Sequence, residues 1–431
     1  MKLLETVVPA RLGTPFRWLL ASSWTSNAGD GIALAAGPLL VASQTSNATY
    51  VALAALLQRL PWLLFGLYAG VLADRLDRRL VVMTADVLRA VVLAVLVVSI
   101  VTDRVSIAVV LAVMFLLGTA ETFADTTTSA LTPMVVGKRD LGIANARVMG
   151  GFIVANQLAG PPVGAALFAA GTAWPFVAQA VLVALGVVLV SRVVLPRHGV
   201  DREATPTRVL DDIREGWQWL WHHPPVRTLA LTIVTFNVTF GCAWAVLVLY
   251  SRDRLGLGAV GFGLITTVSA LGGLVGTAAY GWLERNLGLA MIMRVGLVIE
   301  TLTHLVLALT TWAWLALVVF FVFGVHAFVW GTTSTSVRQR AVPTEMQGRV
   351  GSVYMLGVMG GMVAGAAIAG PLANQWGITA PFWFAFVGSA IFVVALWREL
   401  TRIAHDERPA TAETVPTPAP ANSVEASVQP E

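Results

Sequence analysis

Charged residues are scarce in this chain: of its 431 residues only 12% are charged and 57% are hydrophobic, and the mean hydropathy is +0.76. Soluble domains have about 25% charged residues. So few charges cannot cover a water-soluble particle, and the composition indicates an integral membrane protein. Cysteine is nearly absent too, and the single Cys242 excludes an intramolecular disulfide. The net charge of +4 comes from clustered loop residues, so we do not expect nucleic acid as a partner.

Motifs of enzymes and nucleotide-driven pumps are missing as well. The sequence has no Walker loop, no H-E-x-x-H and no nucleophile elbow. The stretch GLGAVG at 256–261 fits G-x-G-x-x-G but follows an apolar run and not a strand, so no dinucleotide site is assigned to it. Glu300 and His304 lack the further ligands of a metal site. We therefore predict that the protein is not an enzyme and has no resident cofactor or metal.

Long apolar runs dominate what is present. A helix needs about 20 apolar residues to cross about 30 Å of hydrocarbon. The first run is not followed by a signal cleavage site, so we expect it to remain as a membrane span. Twelve runs fit, approximately at 16–42, 48–73, 80–101, 106–134, 144–170, 173–195, 226–250, 259–284, 288–311, 313–338, 346–373 and 379–400.

Basic residues concentrate in every second loop. Of the 28 Lys and Arg residues, 23 lie in the two terminal segments or in the loops that follow even-numbered spans. Cytoplasmic loops of membrane proteins have such an excess. We therefore predict a multi-pass protein of the cell (cytoplasmic) membrane with both termini in the cytoplasm.

The longest polar connection, residues 196–225, divides the spans six plus six. We predict an N-terminal six-helix bundle at 1–195, a C-terminal bundle at 226–403 and a disordered cytoplasmic tail at 404–431. Within the connection, RVLDDIREGWQWLWHHPP predicts an amphipathic helix at the cytoplasmic membrane surface that tethers the two halves.

The two halves repeat at a shift of 210 residues. An even number of spans gives both halves the same orientation, so they are parallel repeats, as in secondary transporters that hold substrate between two rocking halves. The sequence thus predicts an all-α membrane protein with twelve transmembrane helices in two parallel six-helix repeats. The matches include Asn27 with Asn237, Gly31 with Gly241, Asp74 with Glu284, Arg75 with Arg285, and Gly160-Pro161 with Gly370-Pro371.

The loop GVLADRLDRR at 70–79 resembles the signature loop of the major facilitator superfamily. It matches at Gly70, Asp74, Arg75, Arg78 and Arg79, and Asp77 replaces the usual second glycine. The resemblance implies the major facilitator fold and a latch, in which Asp74 caps the start of span eleven in the opposite half. An anion is favourable there, because the first N–H groups and the dipole of a helix attract it.

A second stretch, NQLAGPPVGAAL at 156–167, is similar to an element of drug/proton antiporters through Gly160, Pro161 and Gly164. Longer stretches such as SSWTSNAGDGIALAAGPLLV resemble the branch of macrolide-efflux proteins and the enterobactin exporter. The resemblance implies a monomeric, proton-coupled antiporter in the lipid bilayer that exports amphipathic, drug-like small molecules. A narrow-range siderophore or metabolite exporter, an importer and a lipid flippase remain alternatives.

Ionisable residues inside spans cost about 2.5–3.5 kcal/mol each on insertion scales, so each needs a reason. Asp30 lies in the first span, and Glu121 and Asp125 share one face of span four. Low dielectric disfavours a charged carboxylate, which suits reversible protonation, so these three are candidates for proton coupling. The alternatives are ion pairs: Asp30 with Arg59 or Arg89, and Asp125 with basic residues near the cytoplasmic end. Span four lacks the Arg that is usual in the superfamily's antiporters.

Further polar and aromatic residues within the spans are candidates for the substrate cavity. Interfacial anchoring is the alternative for the tryptophans, and a structural hydrogen bond is the alternative for the histidine. Asp86 and Arg89 are predicted to form an internal pair. The substrate-cavity candidates are Trp24, Asn27, Asn237, Trp244, Glu300, His304 and Trp330.

Overall fold

Helices make up nearly all of the computed structural model, which describes residues 10–195 and 209–400, and no strand occurs among these residues. The predicted tail 404–431 and residues 196–208 of the connection lie outside the described residues. The N-half contains α1 (Gly13–Gln44), α2 (Ala48–Arg75), α3 (Arg78–Val101), α4 (Ile107–Val135), α5 (Leu141–Ala170) and α6 (Trp174–Ser191). Then follow α7 (Val209–His222), and the C-half with α8 (Pro224–Ala245), α9 (Leu247–Asp253), α10 (Ala259–Leu309), α11 (Ala313–Ala341), α12 (Gln347–Trp376) and α13 (Ala380–Leu396).

Nine of the described helices are long and apolar enough to cross a membrane. Helix α1 is not among them because its polar stretch SSWTSNAGDG lowers its hydropathy, and α13 has only 17 residues. Helix α10 has 51 residues and bends at Gly288, whose φ of 70° is readily adopted by glycine alone. Each of the twelve predicted spans overlaps one of these helices, and α10 contains two of them. The count of twelve membrane crossings stays a prediction.

Side-chain caps set the starts of three neighbouring helices. Asn47 begins α2, Asp77 begins α3 and Ser106 begins α4, each accepting a hydrogen bond from a backbone N–H of the first turn. Asp77 accepts from the N–H groups of Arg79 and Leu80 at 2.9 and 3.3 Å. The residue that departs from the superfamily's loop pattern is thus the N-cap of the third span.

Helix α5 is interrupted by a π-helical segment at Phe152–Ala159. Pro161 and Pro162 follow it and cannot donate to the carbonyls of the preceding turn, which loosens the ladder there. Beyond the interruption, Gly164 lets α5 approach α1 so closely that a Cβ would collide with the backbone of Ile32. The same part of α5 meets the C-half, where a Cβ on Gly263 would lie 3.0 Å from the Pro161 carbonyl oxygen.

We call the end of the molecule with the loops at 76–77, 136–140 and 342–346 the basic end, and the opposite end the far end. Hydrogen bonds join the two halves at the far end. The Asn374 side chain donates to Asn47 Oδ1 and Thr49 Oγ1, at 2.8 Å each, and accepts from the Ala48 N–H at 3.1 Å. Arg252 adds a hydrogen bond across to the Ala42 carbonyl at 3.0 Å.

The amphipathic helix predicted in the connection is α7, and it packs on the C-half. Arg349, at the start of α12, lies 2.8 Å from Asp212 Oδ1 and 3.1 Å from Glu215 Oε2. On the same side Leu220 is buried. On the opposite side the exposed rings of Trp217 and Trp221 stack at 5.6 Å, the arrangement expected of a helix that also borders the membrane interface.

Candidate functional site

A cavity of about 200 Å³ lies inside the N-half, and we call it the acidic cavity. All six helices of that half contribute residues to it. The three candidates for proton coupling therefore line one space, although they come from spans one and four. Its polar lining residues are Asn27, Asp30, Gln58, Arg89, Glu121, Asp125, Asn156, Gln157 and Gln179.

Arg89 of α3 is the centre of the charges around this cavity. Its Nη1 donates to Asp86 Oδ1 at 3.0 Å, and its Nη2 donates to Asp30 Oδ1. The Arg89 side chain is 2% exposed, and a charge so buried is tolerated only when it is paired. The predicted pair with Asp86 is present. Of the alternatives for Asp30, the structure shows the ion pair with Arg89, and a role for Asp30 in proton coupling stays a prediction.

Two carboxylates remain outside that ion-pair network. Glu121 is half-buried, and Asp125 is exposed towards the cavity. Both line the acidic cavity together with Asp30 and Arg89, so its lining holds three carboxylates and one guanidinium group. A fourth carboxylate, Asp86, is bound to the same Arg89. In a low-dielectric site such an excess of negative charge is stable only when protons or a cation neutralise it.

Four amide side chains of the acidic cavity were missed by sequence reasoning. Gln179 donates to Asp30 Oδ1 at 3.5 Å, and Gln157 donates to Asn156 Oδ1 at 2.7 Å. The π-helical segment places the consecutive Asn156 and Gln157 on the same cavity wall, a known use of such segments. The available signal was an Asn-Gln pair inside an apolar run, directly before Leu-Ala-Gly-Pro-Pro.

A second cavity, of about 230 Å³, extends from the acidic cavity towards the basic end. The two spaces share Asn27, Asp30, Arg89, Asp125 and Phe152. Hydroxyl side chains dominate the polar lining of the rest, so the carboxylates are connected to the basic end by a lining that can hydrogen-bond water. These hydroxyl residues are Ser22, Ser23, Ser26, Thr128, Ser129 and Thr132.

The C-half contains a cavity of about 350 Å³, which we call the aromatic cavity. It runs along α11 between α8, α10 and α12. Within it, Glu300 Oε2 lies 3.3 Å from His326 Nε2. Three substrate-cavity candidates, Asn237, Glu300 and Trp330, line this space, and a fourth, Asn27, lines the acidic cavity. Its main lining residues are Phe236, Asn237, Phe240, Glu300, Phe323, His326, Trp330, Arg338 and Tyr354.

The other three substrate-cavity candidates lie elsewhere. Trp24 donates from Nε1 to the Arg147 carbonyl at 3.1 Å, which ties α1 to α5. Trp244 stacks on Phe240 at 4.5 Å, behind the aromatic cavity. His304 is buried in α10, and neither ring nitrogen has a hydrogen-bond partner among the described residues. A substrate role for these three stays a prediction.

The signature loop is anchored within the N-half. Arg78 donates to the Ala73 carbonyl at 2.9 Å, and Arg79 donates to the Val193 carbonyl at 3.2 Å. The side chain of Asp74 lies outside the described part of the chain, so the latch stays a prediction. At the repeat position of the C-half, Glu284 lies 3.1 Å from Arg340, also at the basic end. Gly70 has open space around it and Arg75 is exposed.

Sequence comparison gives relatives over nearly the whole chain. The chain is 29% identical over 390 residues to the multidrug efflux pump Tap of Mycolicibacterium fortuitum, covering 85% of this chain and 91% of that protein. It is 24% identical over 399 residues to macrolide efflux protein A of Streptococcus pyogenes, covering 86% and 94%.

Solved structures of transporters share the fold. A mutant of the nucleoside transporter NupG superposes with a TM-score of 0.71 at 13% identity, over 90% of this chain and 100% of that one. A bacterial homologue of the iron transporter ferroportin, in an inward-facing state, gives 0.71 at 17% identity, over 90% and 99%. A family model described as transmembrane secretion effector matches residues 6–431. The chain is therefore a multi-pass membrane transporter that belongs to the transmembrane secretion effector family of the major facilitator superfamily.

Proposed function

We propose that the protein exports amphipathic small molecules from the cytoplasm by alternating access, and that inward proton flow drives the export. The acidic cavity is the observation on which the proposal depends most. Its lining holds three carboxylates and one guanidinium group, and exchangeable protons can neutralise the excess of negative charge. The efflux activity in the names of both sequence relatives supports the direction of transport.

Glu121 and Asp125 are the groups to which we assign proton exchange. Asp30 is already an ion-pair partner of Arg89, whereas these two carboxylates stand outside that pair. The hydroxyl-lined space connects Asp125 to the basic end, which we place in the cytoplasm on the strength of the Lys and Arg distribution. Protons taken up when the protein faces outwards would leave by this route after the halves rock inwards.

The hydrogen bonds of Asn374 and Arg252 close the far end, so we assign this structure to a state open towards the cytoplasm. In that state a substrate from the cytoplasm or the inner leaflet reaches the space between the halves. An anionic siderophore is disfavoured as the substrate, because the acidic cavity would repel it.

Efflux of ethidium from a pump-deficient bacterial host tests the proposal. The parent should lower cell-associated ethidium, and an uncoupler should abolish this. Glu121→Gln and Asp125→Asn should each remove uphill efflux while downhill exchange of ethidium across vesicles persists, because only the coupling is lost. Asp103→Asn is the matched control, since Asp103 is an exposed acidic residue in a far-end turn.

Proton movement is measured separately on the purified protein in weakly buffered detergent. Ethidium addition should release protons from the parent and not from Asp125→Asn. Efflux that persists with the uncoupler and in both variants would contradict proton coupling. Absence of ethidium efflux in a well-expressed parent would contradict the drug-like substrate range and favour an exporter of one metabolite.

A further inference from the structure

The repeat places the acidic cavity and the aromatic cavity at equivalent positions of the two halves. Shifted by 210 residues, Asn27 of the acidic cavity corresponds to Asn237 of the aromatic cavity. The three carboxylate positions 30, 121 and 125 correspond to Phe240, Gly331 and Thr335, which all line the aromatic cavity. The same three positions of the repeat are therefore carboxylates in the N-half, and an aromatic residue, a glycine and a threonine in the C-half.

The aromatic cavity has the features of a site built for a ligand. Its volume of about 350 Å³ lies in the range of small-molecule pockets, about 300–1,000 Å³. Phe240 and Phe323 stand nearly parallel, with ring centroids 5.7 Å apart. At Gly331, no neighbouring atom lies within 4 Å of where a Cβ would be, so the wall is open there.

His326 and Trp330 form the wall of this cavity on the α10 side. They are 5% and 7% exposed, and a Cβ on Gly296 would lie 2.7 Å from His326 Nδ1 and 3.0 Å from Trp330 Cδ1, so these edges of the two rings pack against α10. Glu300 supplies the one carboxylate among the lining residues, and His326 holds it in place.

The lining of the cavity holds one acidic residue, Glu300, and one arginine, Arg338. Arg338 lies twelve residues beyond His326 on α11, about 18 Å along the helix. Its guanidinium stacks on the Tyr354 ring at 4.1 Å, at the basic end. A cation beside Glu300 would therefore meet aromatic faces and a carboxylate, a combination that favours organic cations.

We propose that the aromatic cavity is the substrate subsite and takes a flat organic cation, with its charge beside Glu300 and its rings among Phe236, Phe240, Phe323 and Trp330. This inference rests on the proposed export function and specifies its substrate class. The C-half then selects the substrate, and the N-half exchanges the protons.

Fluorescence titration of the purified, detergent-solubilised protein tests the subsite with two dyes. Ethidium is the cationic probe, and N-phenyl-1-naphthylamine is the neutral one. Glu300→Gln should raise the Kd for ethidium about tenfold or more, from the loss of a charged partner, and should leave the neutral dye within about twofold. Glu284→Gln, a carboxylate of the same helix outside the cavity, is the matched control and should change neither Kd. Gly331→Leu fills the open wall and should weaken both dyes.

Each outcome decides the proposal. An ethidium Kd in Glu300→Gln equal to that of the parent, or no ethidium binding by the parent, would overturn it. Loss of both dyes in Glu300→Gln with an unchanged melting temperature would make Glu300 a structural residue and also overturn it. If that variant unfolds, Gly331→Leu decides, because an unchanged ethidium Kd there contradicts the subsite. A parent that binds ethidium through Glu300 and releases no proton would overturn the coupling scheme alone.

Discussion

Arg89 is the residue whose loss should disturb the N-half most. Arg89→Met removes the guanidinium and keeps an unbranched side chain, so Asp30 and Asp86 lose their shared partner. Breaking a buried ion pair by removing one member costs about 3–5 kcal/mol, because the other charge is left unpaired.

The structure indicates which carboxylate dominates this cost. The Asp86 side chain is 4% exposed, whereas Asp30 is 13% exposed and keeps contact with the cavity. Asp86 therefore has to take up a proton in the variant. From an ordinary Asp pKa, this costs about 4 kcal/mol at pH 7 and about 1.5 kcal/mol at pH 5. Relative to the parent, the variant should thus regain stability as the pH falls.

Thermal unfolding of the N-half in detergent measures this effect through a cysteine introduced at the buried position Ala35 of α1, in a Cys242→Ala background. Because that position is fully buried, a fluorogenic maleimide reacts with Ala35→Cys only when the N-half unfolds. For a unit the size of the N-half, residues 10–195, the midpoint of thermal unfolding should fall by roughly 8–16 °C at pH 7 and by roughly 3–6 °C at pH 5. The variant Arg89→Met with Asp30→Asn and Asp86→Asn should recover most of the loss.

Arg104→Met is the control, since Arg104 is exposed in a far-end loop, and its midpoint should stay within about 2 °C of the parent. An equal fall at both pH values would show that lost packing and not charge is the cause. A fall of less than about 3 °C at pH 7 would refute the assignment of Arg89 as the neutralising group.

Three further predictions concern the scaffold. Gly164→Ala should destabilise the N-half by about 1–3 kcal/mol, because the new methyl group collides with α1; Gly150→Ala, which has open space, should melt like the parent in the same thiol assay. Asp77→Ala should cost about 1 kcal/mol and Asp77→Gly a few tenths, since glycine is a tolerable N-cap; denaturant titration separates the two. Asn374→Ala should favour opening at the far end, so that a cysteine introduced at the buried position Val51 reacts about fivefold faster or more with an impermeant maleimide. An unchanged rate would mean that these hydrogen bonds do not hold the far end closed.

The apolar runs predicted the helices well because the length needed to cross a bilayer is a local property of the chain. The pair of Asp86 with Arg89 was likewise local, three residues apart on one helix. The partner of Asp30 could not be chosen between Arg59 and Arg89, because that choice depends on how spans two and three pack against span one. Arg59 instead reaches Met362 Sδ of α12, at 3.6 Å.

The lining of the cavities was only partly predictable. Charged residues stand out in a span because their cost is large, and this signal found the carboxylates of the acidic cavity. Amides such as Gln58 and Gln179 give a weaker signal, since an apolar run tolerates them. Trp24 shows the opposite error: its polar neighbours suggested a cavity, whereas its indole N–H is used to join two helices. The sequence also could not predict that α7 packs on the C-half, because its partner Arg349 lies more than a hundred residues further along the chain.

The attachment of α7 to α12 makes this helix part of the C-half when the two halves move relative to each other. Arg349 and the buried Leu220 fix that helix to the C-half, so its rings and charges travel with the C-half. A reporter on Trp217 would therefore follow the position of the C-half and not that of the N-half.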